Sequence, residues 1–160
     1  MTHRYWATVA WQRDGEAFTD NRYHRAHEWR FDGGVTVPAS SSPQVVRLPL
    51  SQEAAVDPEE ALVAAVSSCH MLWFLSLAAR QGLVVDRYTD DAYGIGGRNA
   101  AGKPAFTKIV LRPIIEFATE HTPGAAEIAD LHHQAHDECF IANSLNTTIV
   151  VEPVEPVTRA

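Results

Sequence analysis

The sequence predicts an α+β domain with antiparallel sheets around two central helices. Three observations predict it. The first third alternates short aromatic and β-branched runs with turn residues. A long apolar run follows a helix-start signature near residue 57. The remainder reads hairpin, helix, strand, without the regular alternation of a parallel α/β fold. The chain has 160 residues, enough for one domain with its own hydrophobic core.

An N-terminal sheet is expected within residues 1–50. Residues 5–11, YWATVAW, are aromatic and β-branched and read as a strand, and RDGEAF follows as a turn. His27 to Phe31 is a second strand, closed by the turn residues Asp32, Gly33 and Gly34. Val35 to Val37 is short and extended, Ala39 to Pro43 is a loop, and Val45 to Leu48 is a further strand candidate. The cysteine helix is expected over 57–82. Asp57 can cap it, Pro58 suits its first position, Glu60 completes a capping box and Gly82 stops it. It is apolar on almost every face and is expected to be buried, in part against a second copy of the chain. A hairpin over 83–118 follows, with strands 83–93 and 106–117 joined by a flexible glycine-rich connection at 94–102. A second helix is expected over 125–144, a last strand over 145–151, and then a polar tail.

Composition excludes several classes. A net charge of −7 argues against a nucleic-acid backbone as main partner. With 46% hydrophobic and 21% charged residues, the composition is globular and not disordered. The N-terminus lacks a basic region followed by an apolar stretch, and the longest apolar run, about 71–77, is too short to span a bilayer. A cytoplasmic location without a membrane partner is the expectation. Two cysteines, Cys69 and Cys139, exclude a cysteine-rich scaffold and any four-cysteine metal site within one chain. In a reducing compartment such a pair is either inert core or redox-active.

Each cysteine sits in a helical pattern, Cys69 in Ser67–His70 and Cys139 in His136–Asn143. A nucleophilic thiol needs a cation beside it, and Arg25, Arg13, His70 and His136 are the candidates. An arginine so used needs a carboxylate to orient it, and Glu59 and Glu60 stand at the helix start. Glu59 precedes Cys69 by nearly three turns, so an arginine would have to lie between them.

The run DPEEALVAAVSSCHMLWFLSLAA resembles the cysteine-helix motif of the OsmC/Ohr family. Residues 135–144, AHDECFIANS, resemble that family's resolving-cysteine motif. YHRAHEWRFDGG and ASSSP look like a subgroup of OsmC-like proteins. The resemblance implies an OsmC-like fold and an intertwined homodimer with active sites at the subunit interface. It also implies a thiol peroxidase acting on organic hydroperoxides. By the same resemblance Cys69 matches the peroxidatic cysteine, Cys139 the resolving one, and Glu59 the glutamate that holds the catalytic arginine. Arg25 fits the subgroup pattern for that arginine and is preferred over Arg13, which resembles the Arg-Asp-Gly turn of the Ohr branch. No cofactor is implied; an external dithiol, such as a dihydrolipoyl group, would return the disulfide to thiols. Trp73, Phe74, Phe140 and Ile141 are candidates for an apolar channel, or else plain core.

Two rival readings stand beside this one. His132, His136, Cys139 and Asn143 fall on one face of a continuous helix and with Cys69 would suit zinc. Alternatively, an OsmC-like stress-associated or ligand-binding protein would have little peroxidase activity.

Overall fold

Antiparallel pairing begins where the sequence alternates. The structure, a computed structural model, describes residues 2–118 and 122–152. It divides into two units, Met1–Ala61 and Leu62–Ala160. In the first, β1 (Ala7–Ala10), β2 (His27–Phe31) and β3 (Thr36–Ala39) pair antiparallel in that order. Trp29 stands opposite Val9 on one side and Val37 on the other, which places aromatic and β-branched side chains across from each other. Gly34 takes a left-handed φ of 86° in the turn to β3, where its N–H donates to the Phe31 carbonyl at 3.0 Å. The expected strand at Val45–Leu48 does not form. The N–H groups of Val45 and Val46 both turn back to the Ser42 carbonyl at 2.9 Å and so do not join a ladder.

Helix α1 (Pro58–Arg80) begins and ends as its sequence predicts. The Glu60 N–H donates to the Asp57 carboxylate at 2.8 Å, and the Asp57 N–H donates to the Glu60 carboxylate at 2.9 Å. At the other end Gly82 adopts φ 77°, and the Gly82 and Leu83 N–H groups close onto the Ala79 and Ala78 carbonyls. Within the chain only part of its surface is buried. One stripe, Val63, Val66, His70, Phe74 and Ala78, is buried, while Leu72 is 60% exposed. By length and composition α1 would also serve to cross a membrane, since the apolar stretch runs well beyond residues 71–77. A core helix meets the same description, and the buried stripe packs on strands of the second unit.

In that unit β4 (Val85–Asp90) leads to β5 (Tyr93–Arg98), β6 (Pro104–Leu111) and β7 (Pro113–Phe117). The glycine-rich segment, expected as a connection, is itself strand β5. Its glycines admit side chains from across the sheet. A Cβ on Gly94 would stand 2.3 Å from the Phe106 ring, and one on Gly97 would stand 2.7 Å from Thr107. The expected single strand at 106–117 is divided at Arg112, whose N–H donates to the Asp90 carboxylate at 2.6 Å. The other Asp90 oxygen accepts from the Ser67 hydroxyl, which ties β4 to α1.

The chain then forms α2 (Ala125–Glu138), α3 (Phe140–Asn143) and β8 (Thr148–Val151). β4 pairs antiparallel with β7, and β6 lies between β5 and β8. β8 runs parallel to β6, so this sheet is not wholly antiparallel as expected; the return through two helices makes the parallel direction accessible. The polar tail lies outside the described residues from 153 onward.

Two apolar clusters result. Phe74, Ala78, Leu83, Ile115, Leu131 and Ala135 join the C-terminal half of α1 to α2 and the β4–β7 pair. Val63, Val66, Ile109 and Leu111 join its N-terminal half to the other sheet, with Ile141 and Leu145 packed against them. Cys69 and His70 fall between the two clusters along α1. Cys139 falls between them along the later chain.

Candidate active site

The expected second helix is broken at Cys139. This residue takes an extended conformation, φ −68° and ψ 108°, ending α2 and starting α3. The break satisfies its own backbone. The Asn143 side-chain amide donates to the Asp137 carbonyl at 2.8 Å, and the Cys139 sulfur accepts from the Ala142 N–H at 3.4 Å. The result turns the Cys139 side chain inward, where it is 1% exposed. The continuous helix face needed to align His132, His136, Cys139 and Asn143 for zinc therefore ends before Asn143. Among the described residues no group of three or more His, Cys, Asp or Glu is arranged to hold a metal ion.

Both cysteines are free thiols, near enough for Cys69 to act on the Cys139 thiol. They are unequal. Burial, then the hydrogen bond to Cys69, push the Cys139 thiol up to about 11, against the opposing pull of the Ala142 N–H. Cys139 is therefore held protonated at neutral pH. Cys69, half-buried on α1, is the more open of the two residues. One half-open sulfur lies beside one sealed, protonated sulfur, an arrangement suited to attack at the first and disulfide closure by the second.

Two histidines adjoin the pair. His70, beside Cys69 in the chain, is 1% exposed, and His132 of α2 is 8% exposed. His70 Nε2 and His132 Nδ1 are hydrogen-bonded at 3.0 Å. Burial lowers both to about 4, and for His70 the neighbouring His132 and His136 add to the effect. Both rings are neutral at pH 7. His70 was expected only as a cation beside the thiol; neutrality removes that role. The pairing with His132 was not legible in the sequence, where 62 positions separate the rings.

The channel candidates do not come together as one wall. Phe74 is fully buried, with its ring 4.5 Å from His132 and 5.7 Å from Tyr88. Trp73 packs against the same cluster and, with Leu72, Ser76 and Arg80, lines a surface groove of about 200 Å³. Ile141 packs on the other cluster, and Phe140 is 63% exposed. For Phe74 the core reading is the one the geometry supports.

Arg25, Arg13 and Glu59 belong to the first unit. The Arg25 guanidinium lies 3.8 Å over the Tyr23 ring and donates to the Tyr23 carbonyl and to the Asn21 carbonyl and side-chain oxygen, the last two at 3.1 and 2.8 Å. It is half-buried and oriented by carbonyl groups and an amide. Arg13 is exposed and folds back on its own turn, donating to the Glu16 carbonyl at 2.6 Å. Glu59 is an exposed residue of the first turn of α1, where its charge complements the helix N-terminus.

The family model for OsmC-like protein matches residues 51–154, a span that includes both cysteines. An OsmC-like protein of unknown function from Vibrio cholerae has 55% sequence identity over 96% of this chain and 100% of its own, with a TM-score of 0.93. An organic hydroperoxide resistance protein from Elizabethkingia anophelis matches at 17% identity and a TM-score of 0.69, covering 96% of this chain and 95% of that one. Its counterpart from Bacillus subtilis matches at 13% and 0.64, covering 95% and 98%. These last two likenesses concern the fold alone. No curated protein matches the chain.

Proposed function

This chain belongs to the OsmC family, and on that premise we propose that it is a thiol-dependent peroxidase reducing organic hydroperoxides to alcohols. The observation that carries the reading is the proximity of two reduced cysteines of unequal burial. The names of the Elizabethkingia and Bacillus proteins accord with the substrate class.

The Cys69 thiolate attacks the distal oxygen of the hydroperoxide. The O–O bond breaks, and the alkoxide leaves and takes a proton to become the alcohol. Cys69 is left as a sulfenic acid. Cys139 loses its proton and attacks the Cys69 sulfur, forming the disulfide and releasing water. An external dithiol, such as a dihydrolipoyl group, supplies the two electrons that restore both thiols. Arg25 is assigned to the peroxide oxygens and the thiolate, with Glu59 as the carboxylate that orients it. The exposed Leu72 face of α1 supports a homodimer as the working unit, and a cytoplasmic location suits a cycle that needs reduced thiols.

Stopped-flow oxidation of the reduced protein by cumene hydroperoxide tests the reading. The parent is expected to consume one equivalent and close a Cys69–Cys139 disulfide, seen in nonreduced peptides by mass spectrometry. Cys69→Ser is expected to abolish the fast phase. A parent no faster than free cysteine, or a Cys69→Ser variant as fast as the parent, would overturn it.

A further inference from the structure

The peroxide chemistry above makes no use of His70 and His132, yet they are among the most buried polar groups of the second unit. Their geometry is specific. The ring planes differ by 13° and the centroids lie 5.3 Å apart. That spacing is what a 3.0 Å in-line N···N contact gives once each ring's own radius is added. The rings therefore meet edge to edge, nearly in one plane, and the hydrogen bond between them is close to linear. Phe74 lies against His132 and fixes its plane. Each ring is neutral, so one nitrogen donates and the other accepts.

The pair also has a distinctive place in the chain. His70 follows Cys69 directly. His132 lies on α2, the helix that Cys139 terminates. Apolar side chains at these positions would hold α1 against α2 but would let one slide past the other. A directional bond between two buried partners fixes the register.

We propose that the His70–His132 pair is a positioning clamp that locks the Cys69 turn of α1 to α2 and so presents the Cys69 sulfur to Cys139. Neither ring touches the peroxide. The clamp sets the effective concentration of one thiol toward the other, and with it the ease of forming the disulfide. It rests on the cysteine pair being a redox couple, as in the reading above, but not on peroxide being its oxidant.

The test uses the full-length protein equilibrated with mixtures of reduced and oxidised dithiothreitol. In this exchange the two protein thiols become a disulfide as the cyclic reagent opens to its dithiol. Alkylation of the remaining thiols and mass spectrometry give the fraction closed, with no peroxide present. Two pairs of variants separate hydrogen bonding from volume. Asn at 132 keeps an amide near the Nδ1 position, and Leu has the same size without it. Gln at 70 keeps an amide near the Nε2 position, and Met fills the same space.

His132→Leu and His70→Met are expected to favour the dithiol form about tenfold over the parent, or roughly 30 mV for a two-electron couple. His132→Asn and His70→Gln are expected to stay within about threefold of the parent, on the scale of one retained hydrogen bond. Parental potentials in the Leu and Met variants would overturn the clamp. So would equal losses in all four variants, which would make volume the determinant. If the apolar variants do not fold, ring ¹⁵N spectra of the parent at pH 7 decide. Two neutral rings with one slowly exchanging, hydrogen-bonded N–H are expected, and an imidazolium or a freely exchanging pair would sink the proposal. A normal clamp without peroxide turnover would overturn only the peroxidase reading.

Discussion

The two units use similar residues in opposite surroundings. In the first, Trp11, Phe18, Tyr23, His24 and Arg25 form an aromatic network. The Phe18 and Tyr23 rings stack at 4.6 Å, Arg25 covers Tyr23, and the Trp11 indole N–H donates to the His24 carbonyl at 3.0 Å. Water reaches much of it: Trp11 is 40% exposed and Phe18 48%. His24 has the Asp14 and Glu16 carboxylates 3.6 and 3.8 Å away across a partly open surface. In the second unit, His70, His132, Phe74 and Cys139 form a dry seam. There burial, rather than a neighbouring charge, is the first cause of every large shift, lowering the histidines and raising the thiol. Ring contacts thus set orientation in both regions, and burial sets protonation in the closed one.

Three measurements press on this difference, from the largest expected effect down. Phe74→Ala removes the ring that His132 and Tyr88 pack against and leaves a cavity in a closed core. A loss of about 3–5 kcal/mol is expected in urea unfolding. A cost below about 1 kcal/mol would mean that the seam collapses readily and is not dry.

Acid comes next. His70 and His132 have folded-state values near 4 against 6.5 in the unfolded chain. As pH falls below 6.5 the unfolded chain binds protons that the folded chain refuses, until pH approaches 4. The stability they contribute is therefore complete above about 6.5 and is lost through that window. Unfolding free energies at pH 7.5 and 5 should differ in the parent by about 2 kcal/mol per ring beyond the difference in a His70→Gln, His132→Asn double variant. Equal pH dependence in the two proteins would contradict neutral burial.

Asp57→Ala gives the smallest effect. It removes one half of an exposed capping box in the first unit, and a loss of about 1 kcal/mol is expected by the same denaturation. A loss as large as that of Phe74→Ala would erase the contrast between open and closed regions.

What was legible in the sequence was what local chemistry dictates. Asp57, Pro58 and Glu60 announced the start of α1, Gly82 its end, and Asp32 to Gly34 the turn before β3. The two cysteine motifs were placed by resemblance, and Cys69 lies near enough to Cys139 to act on its thiol. What was not legible depended on residues distant in sequence. Gly94 to Gly97 read as a loop because the Phe106 and Thr107 side chains, which occupy the space over them, lie on the next strand. The break at Cys139 depends on Asn143 capping Asp137 and on sulfur standing in for a capping oxygen. The histidine pair depends on two helices meeting, and no local pattern reports that. Apolar composition did not say which stripe of α1 the same chain would cover.

The Gly94–Phe106 contact has a consequence for how this sequence can change over time. A methyl group at 94 would stand 2.3 Å from a ring carbon of Phe106, and that ring packs against the cluster of Val63, Val66, Ile109 and Leu111. The two positions are therefore tied in order. A side chain acquired first at 94 must push the Phe106 ring aside, whereas position 106 can shrink first and leave only a void. Of the two single-step routes to the same double change, one passes through a displaced ring and the other through a cavity.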